Sequence, residues 1–395
     1  MERKDITQYA QIVGSETIAR LKKKAEKIKG KRILHVNSTK SGGGVAEILN
    51  NMIPLFHSLG IEMDWEVISG DEGFFDITKD FHNMLQGEMK PFTAEHRSIY
   101  LDNLKKQTID FSSYDLVVIH DAQPAALISL CEKKCPWIWR CHVDLTRPNP
   151  GLLDFLKKYI VKYDKMIISM PTYSIGIIPE VIIPPSIDPL TEKNKELSPV
   201  LIDLLLKRYQ VPTDLPLVTQ ISRFDKWKDP LGVIDAYRLA KKEMPCRLIL
   251  MGNTSIDDPE GTAILDEVRK SVSDDPDITI ITYDNDLLAN TLQTISSVVL
   301  QKSTREGFGL TVSEALWKAT PVIGGDVGGI PLQINEGETG FLVRSVEECA
   351  ARIKHILKNP SLGRKIGEAG KDHVRRNFLI TRHMEDYLDL FNELL

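Results

Sequence analysis

The chain has little of what marks a secreted, metal-stapled or membrane-spanning protein. Its 395 residues contain five cysteines, Cys131, Cys135, Cys141, Cys246 and Cys349, and no Cys-x2-Cys pair. Neither a disulfide framework nor a zinc cluster is expected, and the thiols read as reduced and buried. The opening Met1-Glu-Arg-Lys-Asp5 lacks the apolar core of a signal peptide. The longest notable uncharged run, Met166 to Pro179, spans 14 residues and is interrupted by Pro171 and Gly176, so it cannot cross a bilayer as a helix. A cytoplasmic location with no membrane partner is the expectation. There is no basic surplus either: 50 Lys and Arg stand against 55 Asp and Glu, a net charge of −5, which argues against a nucleic-acid partner. No short-period repeat or low-complexity tract appears.

What is present is an ordinary globular composition, 42% hydrophobic and 27% charged, on a chain long enough for two cores. Residues 5–30 read as a charged helix with Ile18, Leu21, Ala25 and Ile28 on one stripe. Strand-like apolar runs then alternate with helix-period segments. The first half carries them at 32–37, 65–69, 115–119, 137–141, 165–169 and 181–184, and the second half at 217–222, 247–252, 278–282, 297–301, 321–324 and 340–343. Such alternation implies an α/β fold with two doubly wound, Rossmann-like parallel sheets. The proline-rich stretch 184–199 reads as a linker. The expected domains are 1–198 and 199–375, with a terminal helix in 376–395 carrying Met384, Tyr387, Leu388 and Phe391 on its apolar face.

Chemistry concentrates at the ends of these runs. In Arg305-Glu-Gly-Phe-Gly-Leu-Thr-Val-Ser-Glu314 two carboxylates, Glu306 and Glu314, bracket a glycine turn and the start of a helix. A helix start gathers backbone N–H groups and favours an anion, and glycines admit a ligand that a Cβ would exclude. The two acids can accept hydrogen bonds from sugar or ribose hydroxyls. The second segment, Gln220-Ile-Ser-Arg-Phe-Asp-Lys-Trp-Lys-Asp-Pro230, places Arg223 and Lys228 at another strand-to-helix junction. That pair suits a diphosphate, Arg as a planar fork and Lys as a point charge. Together the two segments point to an anionic sugar-nucleotide site.

These motifs resemble the retaining glycosyltransferases of the GT-B fold, in the glycogen-synthase-like family. Ile119-His-Asp-Ala-Gln-Pro124, Trp139-Arg-Cys-His-Val-Asp144 and Asp257-Asp-Pro-Glu-Gly261 resemble its trehalose-forming branch, the glycosyltransferring trehalose synthases and their phosphorylase relatives. The resemblance covers nearly the whole chain. It implies two domains facing across a cleft: an acceptor-side domain first, a nucleotide-sugar-binding domain second, and a final helix crossing back onto the first. It implies transfer of glucose from a nucleoside-diphosphate glucose to the anomeric hydroxyl of glucose, giving α,α-trehalose and nucleoside diphosphate. It implies front-face substitution rather than the carboxylate nucleophile of retaining glycosidases, for which no candidate stands out here.

On this reading Arg223, Lys228, Glu306 and His142 are catalytic. The donor is held by Gly43, Gly44, Arg223, Lys228, Glu306, Gly307, Phe308, Gly309, Leu310, Thr311 and Glu314, with 283–288 a plausible base-contacting region. His120, Asp121, Gln123, Arg140 and Asp144 form a polar wall for a hydroxyl-rich acceptor. Partners are then small molecules, NDP-glucose, glucose and trehalose, and the oligomeric state is open between monomer and homodimer. Loop 71–92 carries no readable motif.

Two competing patterns are set aside. Gly42-Gly-Gly44 invites a dinucleotide reading, but Glu47 stands where the third glycine or alanine of that fingerprint belongs. Asp284-Asn-Asp286 resembles a metal-holding Asp-x-Asp, yet it precedes a helix that these residues would cap. With Arg223 and Lys228 available to neutralise a diphosphate, no Mg2+ or other cofactor is expected. The enzymatic rivals are a trehalose phosphorylase, which takes inorganic phosphate at the same place, and another retaining transferase. The non-enzymatic rival is an inactive sugar-nucleotide-binding regulator.

Overall fold

The computed structural model describes residues 4–40, 43–252 and 259–395; Gly42, Asp257 and Asp258 lie outside these residues. The described residues form twelve strands, and the inner ones run through largely aliphatic segments, as burial on both faces of a parallel sheet demands. In the first half they are β1 Arg32–Asn37, β2 Glu62–Val67, β3 Leu116–His120, β4 Trp137–Arg140, β5 Lys165–Ile168 and β6 Glu180–Ile182. In the second they are β7 Leu217–Ile221, β8 Arg247–Met251, β9 Ile278–Ile281, β10 Val298–Gln301, β11 Val322–Gly325 and β12 Gly340–Val343. Each half closes one six-stranded sheet, ordered β2-β1-β3-β4-β5-β6 and β12-β11-β10-β7-β8-β9. Every strand pair is parallel. The strand order reverses between β1 and β3 in one sheet and between β7 and β10 in the other, and ligands of such sheets bind at those points, beyond the carboxyl ends.

The chain divides into two compact units, Met1–Ser186 with Ile380–Leu395, and Ile187–Leu379. These bounds differ from the expected 198/199 and 375/376, and hydrogen bonds explain why. The stretch 187–197 docks within the second unit: the Asn290 amide donates to the carbonyls of Glu192 and Lys195, Trp317 Nε1 donates to Asn194 O, and Ile187 N to Phe378 O.

In the first unit the pleat sorts side chains between two cores. Val117, Ile119, Trp137 and Trp139 face one with Phe81, Tyr100 and Phe155. Leu116, Val118, Ile138 and Ile33 face the other, with Leu49, Leu388 and Phe391. The terminal helix Ile380–Leu394 covers that second core, burying its apolar positions from Ile380 to Phe391, and Arg20 and Lys24 pair with Glu385 and Asp389 along its polar side.

Two expectations need correction. Residues 5–30 are not one helix, because Gly14 at φ 85° breaks it and the main segment is Ser15–Ala25; Ile18, Leu21, Ala25 and Ile28 are nevertheless all buried. Residues 71–92 are not a featureless loop. The Asp71 carboxylate caps a helix over Glu72–Leu85 by accepting from Phe74 N, and Phe74, Phe81, Met84 and Leu85 sink into the core. No helix among the described residues is long and apolar enough to cross a membrane.

Candidate active site

In the second unit the structure brings residues from β7 and β10, the two strands at the reversal point, into one cluster. After β7 the chain turns at Asp225, whose carboxylate accepts from the amides of Trp227 and Lys228 at 2.9 and 3.0 Å. Gln220 Nε2 donates to Lys228 O at 2.8 Å. This places Lys228 Nζ on the carboxylate of Glu306, which follows β10. Glu306 Oε2 also accepts from Gln301 Nε2 at 3.1 Å and from Ser303 Oγ at 3.2 Å. Its residue is only 8% exposed, and a cation and neutral donors hold the buried carboxylate. Beside it Lys302 pairs with Asp229. Asp229 adopts the left-handed conformation and caps the next helix, Pro230–Lys241, by accepting from Gly232 N.

Arg223 stands apart from that pair. Its side chain is 63% exposed, and Nη2 lies 3.4 Å from Asp225 Oδ2. Arg223 and Lys228 therefore share one turn through Asp225, and Lys228 reaches Glu306.

The glycine turn does what its composition requires. Gly309 sits at φ 81°, and a Cβ there would lie 3.1 Å from Glu306 Cγ. It opens the helix Leu310–Trp317 with no side-chain cap, which leaves first-turn amides for a ligand. Thr311 Oγ1 ties this helix start to β7 by donating to Ile221 O at 3.1 Å. Phe308 is buried against Phe378, and Gln333 Nε2 donates to its carbonyl at 2.6 Å. Gly307 packs so closely that a Cβ on Gly329 would meet Gly307 O at 2.8 Å. Glu314, on the same helix, is 3% exposed; Gln293 Nε2 donates to it at 3.0 Å, and Lys193 Nζ lies 3.6 Å away. The segment Asp284-Asn-Asp286 starts a helix over Asp286–Ile295, capped by the Asn285 side chain accepting from Leu288 N.

In the first unit the other predicted residues gather at the ends of β1, β3 and β4. Asp121 follows β3 at φ 62° and accepts from His142 N at 2.7 Å. Burial raises its carboxyl to about 6, against the opposing pull of the His142 amide and Arg140. Arg140 is fully buried, with Nη2 donating to Ser169 Oγ at 3.3 Å. Asp144 accepts from Thr146 N and Oγ1 at 2.8 and 2.6 Å. His120 is buried, with both ring nitrogens against other imidazoles, while His142 is half-buried. Gln123 is half-buried two positions past Asp121. Gly43 and Gly44 open the helix Gly43–Ser58 after β1, and Gly43 has φ 78° with open space where a Cβ would be.

Sequence reasoning missed the residues that hold these groups: His35, Asp225, Asp229, Gln293, Gln301, Lys302 and Ser303. A partial signal existed, since Gln301-Lys-Ser303 is a polar cluster directly after an apolar strand. The pairing of Lys228 with Glu306 across 78 positions had none.

The architecture is shared with solved structures. A sucrose-phosphate synthase from Thermosynechococcus elongatus superposes at a TM-score of 0.70 with 17% identity, over 92% of this chain and 99% of that one. A UDP-forming α,α-trehalose-phosphate synthase from Burkholderia xenovorans gives 0.74 with 13% identity, over 92% and 99%. With two parallel six-stranded sheets, the fold is that of a GT-B glycosyltransferase. Residues 35–175 match the family model for the trehalose synthase N-terminal domain, and residues 203–373 that for glycosyl transferases group 1. Trehalose synthase from Pyrococcus horikoshii is 46% identical over 405 residues, covering 99% of this chain and 97% of that protein. The Rubrobacter xylanophilus trehalose synthase is 41% identical over 406 residues, with the same coverage. The chain belongs to the trehalose synthase family of glycosyltransferases.

Proposed function

We propose that the protein is a retaining glucosyltransferase that moves glucose from a nucleoside-diphosphate glucose to the anomeric hydroxyl of free glucose, forming α,α-trehalose and nucleoside diphosphate, reversibly. The observation that carries this reading is the Lys228–Glu306 cluster beside the uncapped start of the helix Leu310–Trp317. A cation, the start of a helix without a side-chain cap and a buried carboxylate meet there at the strand-order reversal. Full-length similarity to trehalose synthases supports the choice of product.

In this scheme the anomeric C–O bond of the donor breaks as a new bond forms to the acceptor's anomeric oxygen. The acceptor's proton passes to the departing phosphate oxygen on the same face. Lys228, with Arg223 on the same turn, offsets the negative charge developing on the leaving group, and the helix-start amides add to it. These groups make a divalent metal dispensable. Glu306 binds glucose hydroxyls and Glu314 the ribose. His142 contacts the reacting sugar, and Asp121, Gln123 and Asp144 line the acceptor side.

The test supplies ADP-, UDP- or GDP-glucose with glucose, and separately trehalose with nucleoside diphosphate or with phosphate. Trehalose formation from a nucleotide donor supports the proposal. Consumption of trehalose with phosphate alone makes the protein a phosphorylase and overturns it.

A further inference from the structure

Three imidazoles, one within β1, one at the end of β3 and one just past β4, form an unbroken hydrogen-bonded line. His35 Nδ1 lies 2.9 Å from His120 Nε2, and His120 Nδ1 lies 2.9 Å from His142 Nε2. The rings are tilted 31° and 13° from one another at 5.2 Å between centroids. The pleat accounts for the alignment. His35 shares a strand face with Ile33 on β1, and His120 with Leu116 and Val118 on β3, the face that packs on the core under the terminal helix.

The line is electrically neutral. Burial pushes His35 down to about 3 and holds His120 and His142 well below the ordinary imidazole range, with Arg140 adding to the effect on the latter two. A neutral imidazole has one N–H and one lone pair. Both bonds must therefore run in the same direction, and only two arrangements exist. In one, His142 donates to His120 and His120 to His35, which leaves an N–H on His35 Nε2. In the other, His35 donates to His120 and His120 to His142, which leaves a lone pair on His35 Nε2 and an N–H on His142 Nδ1.

His35 Nε2 decides between them. It is fully buried and has no hydrogen-bond partner among the described residues. A buried N–H without an acceptor is rarer than an acceptor without a donor, and it forfeits a full desolvation penalty. The direction from His35 to His142 is the one that avoids it. At the other end of the line, His142 is half-buried and no described residue bonds its Nδ1.

We propose that His35 and His120 are positioning residues that hold the proton of His142 on Nδ1, so that this ring meets the sugar as a hydrogen-bond donor to a hydroxyl oxygen. This deepens the reading of His142 as a sugar contact and rests on it. It also gives His120 a role behind His142 rather than at the acceptor itself.

The test has two arms on the full chain. In protein carrying 15N-histidine, protonated and unprotonated ring nitrogens resonate far apart, and His142 is assigned by difference against His142→Gln. The expected spectrum has His142 protonated on Nδ1 and bare on Nε2; the reverse overturns the proposal. In the second arm His35→Asn, whose amide can donate from the Nδ1 position, keeps the tautomer and turnover within about threefold of wild type. His35→Val removes the donor, mixes the His142 tautomers and lowers kcat/KM on the order of 10- to 100-fold, as loss of a group supporting a functional imidazole does. A His35→Val protein with the wild-type spectrum and rate refutes the relay. If His35→Val does not fold, the wild-type spectrum alone decides. If the wild type shows the expected tautomer yet makes no trehalose, the substrate assignment fails and the relay stands.

Discussion

Asp121 combines three constraints at one position: a left-handed backbone, a carboxylate bonded to the His142 amide, and enough burial to raise its carboxyl to about 6. Asp tolerates positive φ better than most residues, so the strained turn and the acid belong together. The raised value has a definite consequence for stability. Between its ordinary 3.8 and about 6 the folded protein holds a proton on Asp121 that the unfolded chain has released. The folded state binds more protons in that window, and its contribution falls as pH rises through 6. Asp121→Asn removes this penalty. The unfolding free energy of the variant relative to wild type, from urea titrations, should climb between pH 4 and pH 7; a pH-independent difference contradicts the assignment. At this scale the sequence revealed residue types and little of their partners. Glu306, Glu314, Lys228 and His142 stood out by motif. Their neighbours Gln293 and His35 did not, because each bonds a group on a separate element, and the packing and register that bring the two together are encoded by no local pattern.

The helix Leu310–Trp317 and the turn before it show how an element can be set by one residue. Gly309 takes φ 81°, ends the turn and starts the helix, while Glu306 packs against the space where its Cβ would be. Gly309→Ala meets both obstacles. Left-handed backbone costs a residue with a Cβ roughly 1–2 kcal/mol, and a contact at 3.1 Å forces Glu306 aside. Thermal denaturation should show a destabilisation of about that size, and donor KM should rise; an unchanged KM would separate the turn from donor binding. Elements of this kind were readable because an apolar strand, a glycine turn and a helix start are all local. The helix Glu72–Leu85 went unread, although its Asp71 cap and the buried spacing of Phe74, Thr78, Phe81 and Leu85 are just as local. Gly73 and the paired aromatics obscured it. Strand β2 begins at Glu62, earlier than its apolar residues suggest, because the charged edge position pairs with Arg32 in register.

For the whole molecule, the return of the chain to its first unit ties the two ends of the sequence together. Ile380, Met384, Tyr387, Leu388, Leu390 and Phe391 are all buried in the first unit. Burial of each such side chain contributes about 1.5–3 kcal/mol. Their sum rivals the roughly 5–15 kcal/mol that holds a typical domain folded. A chain ending at Leu379 should therefore lose the calorimetric transition of the first unit and keep that of the second, which has its own cores. Two intact transitions would show the helix to be dispensable. The α/β alternation made both sheets legible at this scale. The division at Ser186 and Leu379 was not, since docking of residues 187–197 depends on Asn290 and Trp317, far along the chain.

The account depends most on Lys228, because the same side chain neutralises Glu306 and is assigned the leaving diphosphate. Steady-state turnover of Lys228→Ala with NDP-glucose and glucose tests it directly. Glu306 keeps its bonds from Gln301 and Ser303, so the variant should fold. The account predicts a loss in kcat of about 10²–10³-fold, the usual cost of removing one preorganised charge-stabilising group. A folded variant that turns over within about threefold of wild type would contradict it.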